Sequence, residues 1–141
     1  MFLGEFEYSI DQKGRVALPA RFREAFKGGV VLSRGFDRCI EVYPEAEWQQ
    51  EAQRLAALPR TKADNRRLTR QRFSSAYRSD LDRQGRVLIP QNLREYAGIK
   101  GEVVIAGQHL YLEIWDREAW NQEKALLEER GPEIAEGIDI A

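Results

Sequence analysis

The sequence contains very few of the residues from which metal centres and catalytic triads are assembled. Its 141 residues include one cysteine, Cys39, and one histidine, His109. A structural zinc cluster needs about four cysteine, histidine or acidic ligands, and a triad needs a histidine base. We therefore expect no metal, no cofactor and no enzymatic activity. Because Cys39 has no second thiol to bridge, we interpret it as a buried structural residue of a reducing compartment.

Long apolar runs and an excess of positive charge are also missing. No apolar run approaches the roughly 20 residues of a membrane helix, and residues 1–7 carry two acidic side chains but no basic signal-peptide start. We expect a cytoplasmic protein with no membrane partner and no small-molecule substrate. A net charge of −1 and a pI near 6.0 are unusual for a simple nucleic-acid binder.

The charges that are present are unevenly distributed. Residues 60–78 contain seven basic side chains and one acidic one, whereas residues 113–141 contain nine acidic and three basic ones. A local positive electrostatic field can therefore coexist with a net charge near zero. The basic segment 60–72 is compatible with phosphate contacts or with a solvated helix face, and the sequence leaves both interpretations open.

An internal repeat organises the chain. Residues 10–24 match residues 81–95 without a gap at a spacing of 71, and seven of the fifteen pairs are identical. After a small shift in register, residues 35–48 align with residues 107–120. Trp48 corresponds to Trp120 in this alignment. Because both tryptophans recur with the apolar pattern, we interpret them as core or interface anchors. The repeat predicts two copies of one module.

Each copy has the pattern of four short strands, a short helix after a proline, and a closing helix. Such a module is too small to bury a core alone, so we expect the two copies to pair about a pseudo-twofold axis as an α+β, β-rich fold with flanking helices. The predicted boundaries are 1–58 for the first module with its closing helix, 59–76 for a basic linker or helix, 77–130 for the second module, and 131–141 for a flexible tail.

The sharpest motif is Asp-x-x-Gly-Arg, which occurs once in each copy. Arg15 and Arg86 follow a glycine turn, where a guanidinium on a rigid scaffold suits phosphate or guanine O6 and N7. Asp11 and Asp82 stand four residues earlier, where a carboxylate can cap the turn or orient the arginine. One such turn alone is most simply a surface hairpin, but two in register favour a shared role. Lys13 and Arg83 add positive charge at the two turn tips.

These residues carry a resemblance to a known family. Residues 1–5 and 10–23, together with the second copy at 82–95, resemble the bacterial MraZ family over essentially the whole chain, and each half resembles the AbrB-type (SpoVT-AbrB) swapped-hairpin β-barrel module. The resemblance implies a sequence-specific transcriptional regulator of the division and cell-wall gene cluster. It also implies binding of double-stranded promoter DNA at repeated boxes of its own operon, a ring-shaped homo-oligomer and association with the nucleoid.

The same resemblance implies which residues contact DNA. Its Asp-x-x-x-Arg motif falls on Asp11 and Arg15 in the first copy and on Asp82 and Arg86 in the second. Gln84 stands where the first copy has Lys13, so the two copies are expected to contribute unequally.

The sequence leaves three alternative functions to consider. A ring-shaped scaffold that binds protein through the same loops is the main one, and it predicts binding that is insensitive to salt. An antitoxin-like module is disfavoured because such proteins usually carry one module and a disordered tail. An enzyme would need a metal held by carboxylates such as Asp80 and Asp82, which are more simply a solvated acid and a turn cap.

Overall fold

Eight strands and four α-helices are formed by residues 1–138, the part of the chain that a computed structural model describes. The first half contains, in order, β1 (Glu5–Ser9), β2 (Arg15–Ala17), a 3-10 helix (Ala20–Phe26), β3 (Val30–Arg34), β4 (Ile40–Pro44) and α1 (Glu45–Ala56). Helix α2 (Ala63–Ser74) follows. The second half contains β5 (Tyr77–Ser79), β6 (Arg86–Leu88), α3 (Gln91–Ala97), β7 (Glu102–Gly107), β8 (Leu112–Asp116) and α4 (Arg117–Gly137).

The two halves exchange strands. In the six-stranded sheet, of order β1-β7-β8-β4-β3-β5, the first strand of each half pairs with the hairpin of the other half. Strands β2 and β6 pair with each other as a second sheet. Residues at equivalent repeat positions face each other at the centre of both sheets: Val16 opposite Val87, and Glu41 opposite Glu113. The predicted tandem, pseudo-twofold α+β fold is therefore confirmed.

The main core lies between the two sheets and is shared by both halves. Strand β1 alternates between exposed and half-buried residues, and its inward side chains Phe6 and Tyr8 pack on this core. The buried members from the two halves include Val16, Leu18, Phe22, Leu32, Ile40, Val87, Ile89, Leu93, Ile105 and Ile114. Because both halves contribute to this main core, it belongs to neither half alone.

Helices α1 and α2 cover the outer face of the large sheet in the first half. Trp48 of α1 is buried against Val31 and Tyr43, as expected for a core anchor. Its counterpart Trp120 is only half-buried, and it packs edge-on against Trp115. Cys39 is fully buried, and burial raises the pKa of its thiol, in agreement with the structural role expected for it.

Helix α4 has a different environment from α1. It begins at Arg117, where the carboxylate of Asp116 accepts a hydrogen bond from the backbone N–H of Ala119 at 3.3 Å. It continues to Gly137, so helix is found over most of the segment where a flexible tail was predicted. Residues 139–141, the end of that predicted tail, lie outside the described residues. Within residues 1–138, no helix is both long and apolar enough to cross a membrane.

Candidate functional site

The first Asp-x-x-Gly-Arg turn is closed by its own aspartate. One carboxylate oxygen of Asp11 accepts hydrogen bonds from the backbone N–H groups of Lys13 and Arg15, both at 2.9 Å. The other oxygen accepts from Nε of Arg15 at 2.7 Å. Gly14 has φ of +84°, a conformation that glycine adopts without strain. Asp11 therefore caps the turn and orients the arginine at the same time.

The second turn repeats this geometry. Asp82 accepts from the backbone N–H groups of Gln84 and Arg86, both at 2.9 Å, and from Nε of Arg86 at 2.8 Å. Gly85 has φ of +75°. The two roles that the sequence suggested for the aspartates are thus both present in each copy.

The pairing of β2 with β6 places the two turns next to each other. Arg15 pairs with Leu88 and Ala17 pairs with Arg86, so the two arginines lie on a diagonal across one short ladder. Nη1 of Arg86 is 3.8 Å from the carboxylate of Asp11. The sheet therefore assembles four of the six predicted site residues into a single cluster.

The cluster keeps the guanidinium groups oriented and partly open to solvent. The arginine side chains are 29% and 28% exposed, and each uses Nε to bind its aspartate. The backbone N–H of Arg15 lowers the pKa of Asp11, with smaller contributions from its side chain, and Arg86 does the same for Asp82. The aspartates are therefore ionised at neutral pH, and each holds the guanidinium of its own arginine through a charge-assisted hydrogen bond from Nε.

The remaining two predicted site residues lie at the turn tips. Lys13 and Arg83 are exposed. Unlike Arg15 and Arg86, neither side chain is tied to an aspartate of its turn. They supply exposed positive charge beside the two oriented guanidinium groups.

Two further arginines contact the turns, and the sequence interpretation missed them. Arg23 packs on Gly85, and Arg94 packs on Gly14, with its Cζ 3.1 Å from the position of an added Cβ. The available signal was their identity at matching repeat positions. Spacing along the sequence does not reveal these contacts, because a helix residue eight positions after one motif meets the turn of the other copy.

The basic segment 60–72 divides into exposed and buried members. Arg60, Lys62, Arg66, Arg67 and Arg70 are exposed. Arg72 instead is 2% exposed and forms a salt bridge with Glu41 at 2.9 Å. Arg72 is therefore part of the interior, and only the rest of this segment has charge available for a partner.

Of the two acidic residues considered for metal binding, Asp80 is exposed and Asp82 is held within its turn. Both carboxylate oxygens of Asp82 accept hydrogen bonds within the turn. Among residues 1–138, no group of three or more histidine, cysteine or acidic side chains is arranged to hold a metal ion.

Comparison with known proteins decides the family. A family model described as "MraZ protein, putative antitoxin-like" matches the chain twice, over residues 1–71 and 72–133. The chain belongs to the MraZ family. A protein named transcriptional regulator MraZ from Thermomicrobium roseum is 48% identical over 98% of this chain and 97% of its own length. One of the same name from Roseiflexus castenholzii is 51% identical over 85% of this chain and 84% of its own length.

A third relative, transcriptional regulator MraZ from Desulforamulus reducens, is 44% identical over 98% of this chain. The MraZ family is one of transcriptional regulators and not of enzymes, in agreement with the expectation that this chain is not an enzyme. The family model also divides the chain between residues 71 and 72, within α2.

Proposed function

We propose that this protein binds double-stranded promoter DNA sequence-specifically through its paired Asp-x-x-Gly-Arg turns. In this proposal it regulates the division and cell-wall gene cluster by binding repeated boxes upstream of its own operon, in the cytoplasm and associated with the nucleoid. Arg15 and Arg86 make the central contacts, Asp11 and Asp82 orient them, and Lys13 and Arg83 add contacts to phosphates.

The observation that carries the proposal is the duplication of one oriented arginine on adjacent strands. Each guanidinium is fixed to its own aspartate through Nε, so neither of its Nη groups takes part in that bond, and Nη1 of Arg86 also lies 3.8 Å from the carboxylate of Asp11. A planar group held in this way suits two neighbouring acceptors, such as O6 and N7 of guanine in the major groove or two phosphate oxygens. An exposed lysine would give charge without this directionality.

We further propose that several copies assemble into a ring. None of the 21 residues of α4 is buried in the described chain, and Leu126 and Leu127 are 42% and 47% exposed. A groove of about 350 Å³ between α1 and α2 has apolar residues Leu55 and Phe73, and it is flanked by Arg66 and Arg70. The acidic α4 of a second copy is complementary to this groove in charge and polarity. A head-to-tail contact of this kind closes into a ring when the rotation permits.

A ring also compensates for the small number of cationic contacts in each protomer. Several protomers that engage repeated boxes at once raise the apparent affinity by about 10² to 10⁴ through effective concentration. This avidity makes specific DNA binding compatible with a net charge of −1.

The test is equilibrium binding of the purified protein to DNA from upstream of its own gene, over a salt series. The control is a scrambled fragment of equal length and composition. Binding to the native fragment should be tighter, and its logarithm should fall linearly with the logarithm of salt concentration, with a slope of about −0.9 for each phosphate contacted. Equal binding to both fragments would overturn sequence specificity. Absence of DNA binding would instead favour the protein-binding scaffold.

A further inference from the structure

Each Asp-x-x-Gly-Arg turn, called here a recognition turn after its proposed role, is in contact with an arginine from the other half of the chain. The Arg94 guanidinium lies over Gly14, and its Cζ, Nη1 and Nε are all 3.1–3.4 Å from the position of an added Cβ. These nearly equal distances place a flat face of the guanidinium on the turn. Gly85 is covered by Nε, Cζ and Cδ of Arg23, which would overlap any Cβ at that position.

Backbone hydrogen bonds hold the same two glycines from the opposite half. The backbone N–H of Leu18 donates to the carbonyl of Gly85 at 3.0 Å, and that of Ile89 donates to the carbonyl of Gly14 at 2.8 Å. Nε of Arg23 in turn donates to the carbonyl of Leu18 at 3.0 Å. Residues of the other copy therefore make two contacts with each turn glycine. A backbone N–H donates to its carbonyl, and an arginine side chain packs against its α-carbon.

Apolar packing does not account for the choice of arginine here. Nε of Arg94 is buried without a hydrogen-bond partner in the described structure, which is costly for a polar group. A methionine or leucine would cover Gly14 without that cost. Arginine nevertheless occupies both equivalent positions of the repeat.

We propose that Arg23 and Arg94 are positioning residues that fix the recognition turn of the opposite half. Arg94 sets the position of Arg15 through Gly14, and Arg23 sets the position of Arg86 through Gly85. The inference rests on the proposed function, because it treats these turns as the DNA-binding elements. It goes beyond that function by making each half's DNA contact dependent on the other half.

A double-mutant cycle in DNA binding tests this crossed dependence. Arg94→Met should weaken binding roughly tenfold. The loss should largely disappear when Arg15→Ala is already present, and it should remain in full with Arg86→Ala. Arg23→Met should show the reverse pattern. Arg94→Lys should not restore affinity, because it keeps the charge but lacks the flat guanidinium.

Arg54→Met is the matched control, since it removes one exposed positive charge from α1. This variant should change DNA affinity little, and its effect should be additive with the effect of every other substitution. If Arg94→Met weakened binding equally in both backgrounds and reduced the salt slope, Arg94 would be a direct phosphate contact and the proposal would be overturned.

A second measurement needs no DNA and separates this inference from the proposed function. Hydrogen exchange of the full chain, followed by mass spectrometry, reports on residues 10–18 and 81–89 separately. Arg94→Met should accelerate exchange in residues 10–18 and leave residues 81–89 unchanged, whereas Arg23→Met should do the opposite. Acceleration confined to the turn of the same half, or in neither turn, would overturn the proposal. A wild-type protein that binds no DNA would overturn the proposed function alone.

Discussion

At the scale of single residues, the two turn aspartates have two separable roles. A carboxylate oxygen of Asp11 accepts two backbone N–H groups, while the other holds Nε of Arg15. An asparagine keeps one acceptor oxygen but cannot offer a charged partner to the guanidinium.

We therefore expect Asp11→Asn to preserve the turn and to release Arg15, whereas Asp11→Ala should disrupt both. Hydrogen exchange in residues 10–18 should stay near wild type in Asp11→Asn and rise in Asp11→Ala. DNA affinity should fall in both variants. Loss of exchange protection in Asp11→Asn equal to that in Asp11→Ala would show that the charge itself closes the turn.

The same carboxylates make the turns sensitive to acid. The pKa of Asp11 and of Asp82 lies below the ordinary value of 3.8, chiefly because of the backbone N–H groups of Arg15 and Arg86. A lowered folded-state pKa contributes stability that is present above the unfolded-state value and is lost as pH falls through the folded-state value.

Exchange protection of both turns, corrected for the intrinsic rate, should therefore be constant near neutral pH and fall only below the ordinary carboxyl pKa. In Asp11→Asn the first turn should lose this pH dependence while the second retains it. Protection of the first turn that still fell with pH in this variant would contradict the assignment.

Arg72 is the residue whose environment differs most from the interpretation based on sequence. It lies in a run of exposed basic residues, yet it is buried against Glu41 and also donates to the hydroxyl oxygen of Ser33 at 3.1 Å. Burial raises the pKa of Glu41, and the charge of Arg72 opposes that rise. Charge patterning along one helix cannot reveal this contact, because the partner is on β4, 31 residues earlier.

Arg72→Met should lower the free energy of unfolding by about 3–5 kcal/mol, because it leaves Glu41 buried without its counter-charge. The double variant Arg72→Met, Glu41→Gln should regain part of that loss. Denaturant unfolding measures both values. An effect below about 1 kcal/mol in the single variant, as for a surface ion pair, would contradict this account.

At the scale of secondary-structure elements, local patterns predicted which segments form strands but not which strands pair. The repeat, the turn glycines, and Pro19 and Pro90 before the short helices were all visible in the sequence. Local sequence patterns do not predict that β1 and β5 are exchanged between the halves. Pairing depends on which edge is free after each hairpin has formed, and that is a property of the whole sheet.

The exposed face of α4 leads to a prediction about assembly. Leu126→Glu together with Leu127→Glu should reduce the molar mass in solution, measured by light scattering after gel filtration. Far-ultraviolet circular dichroism should be retained, because neither residue is buried in the protomer. Asn121→Glu together with Gln122→Glu on the same helix is the control for the two added charges. An unchanged mass in the leucine variant would remove α4 from the proposed interface.

At the scale of the whole molecule, strand exchange joins the two copies into one structural unit. The family model and the repeat both divide the sequence in two, but the core and both sheets cross that division. The predicted boundaries at 58, 76 and 130 therefore describe the repeat, and they remain untested as units of folding.

We expect a single unfolding transition, with the same midpoint for tryptophan fluorescence and circular dichroism. Trp48 reports on the first half, and Trp115 and Trp120 report on the second. The variants Trp48→Phe and Trp115→Phe would assign the fluorescence to each half. Two separated midpoints would show that the halves unfold independently.

We propose that the paired turns, and not the exposed arginines of α2, form the DNA-binding surface. The most direct measurement compares wild type, Arg15→Ala, Arg86→Ala and Arg66→Ala in equilibrium binding to the upstream fragment at fixed salt. We predict that each turn variant loses about 1–3 kcal/mol of binding free energy, while Arg66→Ala binds as wild type does. Wild-type affinity in both turn variants, with the loss appearing in Arg66→Ala, would contradict the claim and transfer the site to α2.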